Sequence, residues 1–212
     1  MRIIINLRGA LLITVMPFFI AASCNKNDTR PCNNGAYSFA VTAEFAPQRE
    51  IYNVGDTIFL TSSFPKNLTD QIGNFNVDYS NSVGIGGDIA IYYLDTISRQ
   101  PLPARDSFTF ISVIGNFSER AFNKNSGINF YFSELATLYQ FRGAVICKKK
   151  GIYGIGVDNL NSKGLRGKNC TNAGFNMTIT NTDKHLYLHQ YALGVNPNDP
   201  FLQQHGYDFR VQ

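Results

Sequence analysis

The sequence predicts a mainly β protein folded as a sandwich, and three observations predict it. Short apolar runs alternate along the chain with turns rich in Gly, Asn, Asp and Ser. Within the runs, apolar and polar residues alternate with a period of two, the pattern of a half-buried strand. The composition suits a many-turned β chain: 17 Phe, 11 Tyr and no Trp supply core aromatics of high strand propensity, while 18 Gly and abundant Asn serve the turns.

Taken in order, "AYSFAVTAEF" (36–45) places Tyr37, Phe39, Val41 and Ala43 on one face. "TIFLTSSF" (57–64) follows a Val-Gly-Asp turn. "DIAIYYL" (88–94) sets Ile89, Ile91 and Tyr93 against Ala90, Tyr92 and Leu94, and "SFTFISVI" (107–114) groups Phe108, Phe110, Ser112 and Ile114. "GINFYF" (127–132), "GAVIC" (143–147), "GIYGIGV" (151–157) and "GFNMTIT" (174–180) continue the pattern. "KHLYLHQYAL" (184–193) and "YDFRV" (207–211) close it as strands. One short helix is expected where Ser133 caps "ELATLYQF", with Leu135, Leu138 and Tyr139 at helical spacing. A further helical turn is expected over 199–204, after the "NPND" punctuation.

Two motifs carry a resemblance. "EFAPQREIYNVGDTIFL" (44–60) resembles the first strands of a bacterial immunoglobulin-like domain, in which a Gly-Asp turn, here Gly55 and Asp56, leads into alternating apolar residues, here Ile58 and Leu60. "KKKGIYGIGV" (148–157) resembles the penultimate strand of that family, and "GFNMTIT" then stands for its last. The resemblance implies an immunoglobulin-like β-sandwich over 36–212, with 65–87, 115–142 and 181–212 as insertions and an appended tail.

In that topology the first strand runs parallel beside the last. Cys32 and Cys170 stand similarly placed before those two strands, which favours a Cys32–Cys170 disulfide with Cys147 a buried free thiol. Cys147–Cys170 is the alternative pairing.

The amino terminus reads as an address. Arg2 and Arg8 precede a stretch from Ala10 to Ser23 that is apolar or small apart from Thr14 and Pro17, shorter than the ~20 residues of a spanning helix. Ala21, Ala22 and Ser23 then lead into Cys24. This resembles a bacterial lipoprotein signal of the Bacteroidetes type, with Ala21 where a Leu is usual. The resemblance implies a signal peptide over 1–23, removed before Cys24. It also implies acylation of Cys24 with chains such as palmitate, and an acylated tether over 24–35. Several such chains, at about 0.8 kcal/mol per buried methylene, anchor a protein stably. Ordinary secretion with Cys24 in a disulfide, and an uncleaved anchor helix, are the alternatives.

Removal of residues 1–23 takes Arg2 and Arg8 away and leaves 17 basic against 15 acidic residues, a net charge of +2 instead of +4. That balance argues against a nucleic-acid partner. The densest basic stretch comprises Lys148, Lys149 and Lys150 with Lys163, Arg166 and Lys168. It reads as a solvated hairpin end, with contact to anionic lipid or polysaccharide as the functional alternative.

No motif places a nucleophile: there is no G-x-S-x-G, and "GIGGD" (84–88) lacks the Lys-Ser/Thr of a phosphate loop. "DNLNSKG" (158–164) hints at a calcium loop but reads as a turn between strands, because Leu160 takes a ligand position. His185 and His189 share a metal only on a helix. Here Leu186 and Leu188 alternate with His185, Tyr187, His189 and Tyr191, which is strand spacing. The four are therefore expected as an exposed, ligand-facing His/Tyr stripe, with no metal, no cofactor and no catalytic residue assigned.

These readings converge on an outer-membrane-anchored lipoprotein of the bacterial cell envelope. It contacts the membrane through its lipid anchor, and its sandwich is a non-catalytic binding or accessory module for a glycan or an envelope protein. The alternative is a glycan-active envelope hydrolase whose carboxylates come from separate loops.

Overall fold

The computed structural model of the protein describes residues 37–212, the side chain of Asn159 excepted. The segment expected as a signal peptide, Cys24, the expected tether and Cys32 lie outside the described residues. In chain order the strands are β1 (Tyr37–Ala46), β2 (Ile51–Tyr52), β3 (Thr57–Pro65), β4 (Asn67–Thr69), β5 (Asn76–Asp78), β6 (Gly86–Asp95), β7 (Gln100–Pro103) and β8 (Phe108–Ile114). They continue as β9 (Asn116–Ser118), β10 (Gly127–Tyr131), β11 (Ser133–Glu134), β12 (Leu138–Cys147), β13 (Gly151–Ser162) and β14 (Ala173–Ile179). Two short helices follow, α1 (Tyr187–Leu193) and α2 (Pro200–His205), and β15 (Gly206–Val211) ends the chain.

The fold is a mainly β, immunoglobulin-like sandwich. One sheet runs β9-β10-β6-β13-β14 to the first part of β1, with β7 beside β6, and with β15 and then β2 beside β13. The other runs from the end of β1 through β3 to β12, whose far edge carries β8 and β11. β1 belongs to both sheets. Its first seven residues pair in parallel with β14, from Tyr37↔Ala173 to Ala43↔Ile179, and its last three pair antiparallel with β3.

The period-two pattern explains the interior. Phe39, Val41, Ala43 and Phe45 of β1 all point inward, and Ile58 and Leu60 of β3 are fully buried. Aromatic rings join the two sheets. Phe64 meets Phe175 at 5.5 Å between centroids, Phe130 meets Phe141 at 4.8 Å, and Phe108 meets Tyr153 at 4.9 Å. Such tilted and edge-on pairs add about 0.5–1.5 kcal/mol each beyond the area they bury.

The Gly-Asp turn before β3 forms as expected. Gly55 adopts φ +94°, and Asp56 Oδ2 accepts from Asn53 N–H at 2.8 Å. The turn is pinned to the end of β12, where Gly55 N–H donates to the Cys147 carbonyl at 2.8 Å and Cys147 N–H to the Asp56 carbonyl at 3.0 Å.

Four expectations are corrected. The helix expected from Ser133 is the β11–β12 hairpin, with Glu134 opposite Tyr139. Tyr139 and Phe141 alternate into the core, so strand pairing overrides the local helical spacing. The segment expected as a strand at 184–193 is instead helix α1, whose buried Leu188 and Ala192 are four apart. With α2, which occupies the stretch expected to turn helically, the fold has two short helices and not one. Finally, β13 runs on to Ser162 through a register shift between Asp158 and Asn161, so 158–162 is strand and not turn. The basic residues at 148–150 and at 163–168 therefore stand at opposite ends of a strand roughly 35 Å long, at about 3.3 Å per residue, and form no single patch.

Asp70 locks the β4–β5 ribbon to β1. Its two oxygens accept from Ser38 N–H at 2.7 Å and from Gly73 N–H at 2.6 Å. The Ser38 bond foremost holds its carboxyl below the usual carboxylate range. A carboxyl depressed in the folded state contributes stability above its unfolded pKa and loses it as pH falls through the folded one. Thermal melts across that acid range are expected to show a shallower loss of stability for Asp70→Asn than for the parent, with the variant already less stable at neutral pH.

Candidate functional site

The outer face of the larger sheet, not its loops, carries the best-formed site. Register places three rows of side chains there. Tyr92 of β6, Gly154 of β13 and Asp208 of β15 form one row; Ala90, Gly156 and Gly206 form the next; Asp88 and Asp158 form a third. The middle row is all small residues, so the sheet floor is low at its centre. The two helices stand over the same face. Leu188 and Ala192 seat α1, and Asp199 caps α2 by accepting from the N–H groups of Phe201 at 2.9 Å and Leu202 at 3.2 Å. A cleft of about 340 Å³ lies between helices and floor, walled by Tyr92, Pro101, Phe201 and Leu202.

Polar groups mark its two ends, four residues apart along the strands and hence about 13 Å. At one end Asp88 and Asp158 face each other across neighbouring strands, and Arg120 Nη2 contacts Asp88 Oδ2 at 2.9 Å. The guanidinium also donates through Nη1 to Ser126 Oγ at 3.3 Å. At the other end His189, from α1, reaches down to Asp208. Its Nδ1 lies 2.5 Å from Asp208 Oδ2. Asp208 is wholly buried. Burial pushes its carboxyl above the usual range, and the hydrogen bond to His189 opposes that rise. The other carboxyl oxygen, Oδ1, has no partner among the described residues.

Gly154 makes this arrangement fit. A Cβ there would stand 2.8 Å from both Asp208 Oδ1 and His189 Cε1.

The four side chains expected as one exposed stripe are separated by the helix. His185 is buried, with φ +52°, its N–H donating to Asp183 Oδ1 at 2.8 Å and its ring edge-on to Tyr207 at 5.8 Å. Tyr187 and Tyr191 are exposed. Hydrogen bonding to Glu50 raises the phenol pKa of Tyr187, and Tyr191 lies under the Arg210 guanidinium at 5.4 Å. His189 alone of the four lines the cleft. A period of two is the wrong reading for a segment whose buried positions are Leu188 and Ala192.

Cys170 lies in the loop before β14 with φ +55°. Cys147 is free and buried, which removes the Cys147–Cys170 pairing. Among the described residues no group of three His, Cys, Asp or Glu side chains is placed to hold a metal ion.

Asp88, Arg120, Tyr92 and Asp208 were not singled out as site residues by sequence, and Asp158 entered only as the first residue of the stretch read as a turn. One signal was available. The alternating glycines of "GIYGIGV" leave one face of a central strand without side chains, as happens where something approaches closely.

No protein-family model matches the chain, and no curated protein matches it. Among solved structures, a type II cohesin domain from the cellulosome of Acetivibrio cellulolyticus is similar over 57% of this chain and 75% of that one, at 12% identity and a TM-score of 0.30. A likeness so distant carries no argument about a ligand.

Gly154→Ala is expected to destabilise the fold by about 1–3 kcal/mol, the usual cost of overpacking, because two contacts at 2.8 Å must open. Chemical denaturation measures that loss. A change in the His189 imidazole resonances in NMR spectra would report the displaced ring.

Proposed function

We propose that this chain is a cell-envelope lipoprotein whose sandwich is a non-catalytic module binding a glycan in the cleft between the helices and the β6–β13 floor. One observation carries the reading. The cleft combines an aromatic and aliphatic wall with hydrogen-bonding groups at both ends, and it rests on secondary structure instead of loops. Its 340 Å³ and its length of about 13 Å suit a segment of roughly two sugar rings. Tyr92 and Phe201 offer ring faces against which a sugar can pack, and carboxylates and imidazole offer acceptors to its hydroxyls.

A glycan-active hydrolase is the second reading, and one observation favours it. Asp88 and Asp158 are directly opposed, which sets their Cβ atoms about 4.5–5.5 Å apart, near the carboxyl separation of retaining glycosidases at about 5–5.5 Å. Against it, Asp88 already accepts from Arg120 at 2.9 Å, the arrangement of an acceptor more than of an acid.

The envelope address rests on the amino-terminal sequence: cleavage before Cys24, acylation of its thiol and amino group, and a tether into β1. For the disulfide, support comes from register. Tyr37 lies opposite Ala173 in parallel strands, with Tyr37 N–H donating to the Asn172 carbonyl at 3.2 Å. Cys32 and Cys170 thus precede adjacent strand starts, and a Cys32–Cys170 bridge would close the sandwich at the base of its tether.

Two experiments test these proposals. Titration of the full chain against a glycan panel, with reducing-end release followed in parallel, is expected to give saturable binding without turnover. Binding should weaken about tenfold or more in Tyr92→Ala, which deletes a stacking surface. Release of reducing ends that is abolished by Asp158→Asn would establish the hydrolase instead. Mass spectrometry of the mature amino terminus is expected to find acylated Cys24 as residue one. Thiol titration of that denatured chain should find Cys147 alone reactive until a reductant frees Cys32 and Cys170.

A further inference from the structure

A strand at the edge of a sheet presents a row of unpaired N–H and C=O groups, on which another strand can form. Several edges of this sandwich are blunted. β2, β9 and β11 are two or three residues long, and β7 carries Pro101 and Pro103. β8 is different. It runs for seven residues and, among the described residues, pairs on one side only, with β12. From Ser107 to Ser118 the chain reads "SFTFISVIGNFS", with no charged residue and no proline.

The register shows which backbone groups of β8 are open. Cys147 bonds the Gly55-Asp56 turn through both its N–H and its carbonyl. Odd-numbered residues of β12 therefore address β3, and even-numbered ones address β8. Ile146 and Ala144 accordingly bond their partners Thr109 and Ile111. Phe108, Phe110 and Ser112 turn their backbone groups outward. The Phe108 N–H returns to the Arg105 carbonyl. The Phe108 carbonyl, and both groups of Phe110 and Ser112, have no backbone partner among the described residues. A register shift opposite Arg142 and Gly143 ends the regular edge beyond Ser112. On the outer face beside this edge, Thr109 and Ile111 are exposed, Ile111 at 47%.

This edge is complementary to itself. We infer that β8 is a self-association edge, on which a second copy of this chain pairs antiparallel about a twofold axis through Phe110. In that register the two Phe110 residues exchange both of their bonds, and each Ser112 N–H meets the Phe108 carbonyl of the other copy. Every outward group then has a partner except those left beyond the regular edge. Thr109 stands opposite the other copy's Ile111, with Cβ atoms about 4.5–5.5 Å apart. The pair covers the exposed isoleucine with a β-branched neighbour. The absence of charge in the strand means that self-pairing opposes no like charges. The same patch meets itself, so the contact closes on a dimer and does not propagate into a fibre. A five-residue edge is only about 17 Å long, and such a contact falls short of the roughly 1,200 Å² that stable interfaces bury. The dimer is therefore reversible, forming at high protein concentration and parting on dilution.

Sedimentation equilibrium of the full-length protein in excess detergent tests this, with amide hydrogen exchange followed by NMR. The protein mass is expected to fall from two chains to one on dilution. Ile111→Lys sets two ammonium groups beside the shared edge, and association is expected to weaken about tenfold or more. Its thermal melt should stay that of the parent, because the side chain is half in solvent. In the parent, the Phe110 and Ser112 amides should gain protection as concentration rises, while those of Thr109 and Ile111, bonded to β12, are protected throughout. This exchange pattern decides the matter even if the variant fails to fold. A monomer at every concentration would overturn the inference, as would a dimer that Ile111→Lys leaves intact. Protection of Phe110 and Ser112 in the dilute monomer would also overturn it, by showing the edge already covered within one chain.

Discussion

The architecture depends on β1 serving two sheets. Its first seven residues complete the larger sheet beside β14, and its last three start the smaller one beside β3. A strand that crosses between layers fixes their separation and relative register at once, so the inward faces meet with their aromatics already aligned. Phe39 shows the result: its ring lies 5.3 Å from Phe175 on the neighbouring strand and 5.1 Å from Tyr79, which arrives from the β4–β5 ribbon. The end of β1 is secured by the polar bonds of a tail residue, Asn181, whose side chain bonds both N–H and carbonyl of Phe45 at 2.8 Å. Beyond it, the Tyr207 hydroxyl bonds the Arg49 backbone and lies 3.1 Å from that of Tyr52.

That construction frees the outer face of the larger sheet for other uses. With the core built on one side only, Gly154, Gly156, Gly206 and Ala90 on the other side need fill no interior, and the appended tail lays its two helices over them. The same segment that closes the fold, β15, supplies Gly206 to the cleft and, beneath it, the buried Asp208 that holds His189. Binding groups thus come from paired strands and a packed helix, elements held by many backbone hydrogen bonds, and this limits how far the site can rearrange on meeting a ligand.

Most of the strands were legible in the sequence because period-two alternation is local, and so was the Gly55-Asp56 turn; the parallel pairing of β1 with β14 followed from the resemblance its motifs carry. Where two periods competed, the local pattern misled. Leu135, Leu138 and Tyr139 satisfy helical spacing, yet cross-strand pairing with β3 and the burial of Tyr139 and Phe141 outweigh it. In "KHLYLHQYAL" a few alternating residues imitate a strand, while the buried pair Leu188 and Ala192 is helical. The site was largely illegible for another reason. Asp88 meets Asp158 across seventy residues, and His189 meets Asp208 across nineteen, so neither spacing means anything until register is known. Only the alternating glycines of β13 hinted at a face left bare.

Cys147 carries a final consequence. Its side chain is 1% exposed, and burial, with Asp56 nearby, pushes the thiol pKa up to about 12. Thiol–disulfide exchange proceeds through a thiolate that can reach its target sulfur, and this residue offers neither ionisation nor access. Once β12 has paired with β3, this sulfur is therefore out of reach of disulfide exchange. Conversely, a sulfhydryl reagent that finds this sulfur must have caught the sandwich with its two layers apart, which makes the residue an internal gauge of how often they separate.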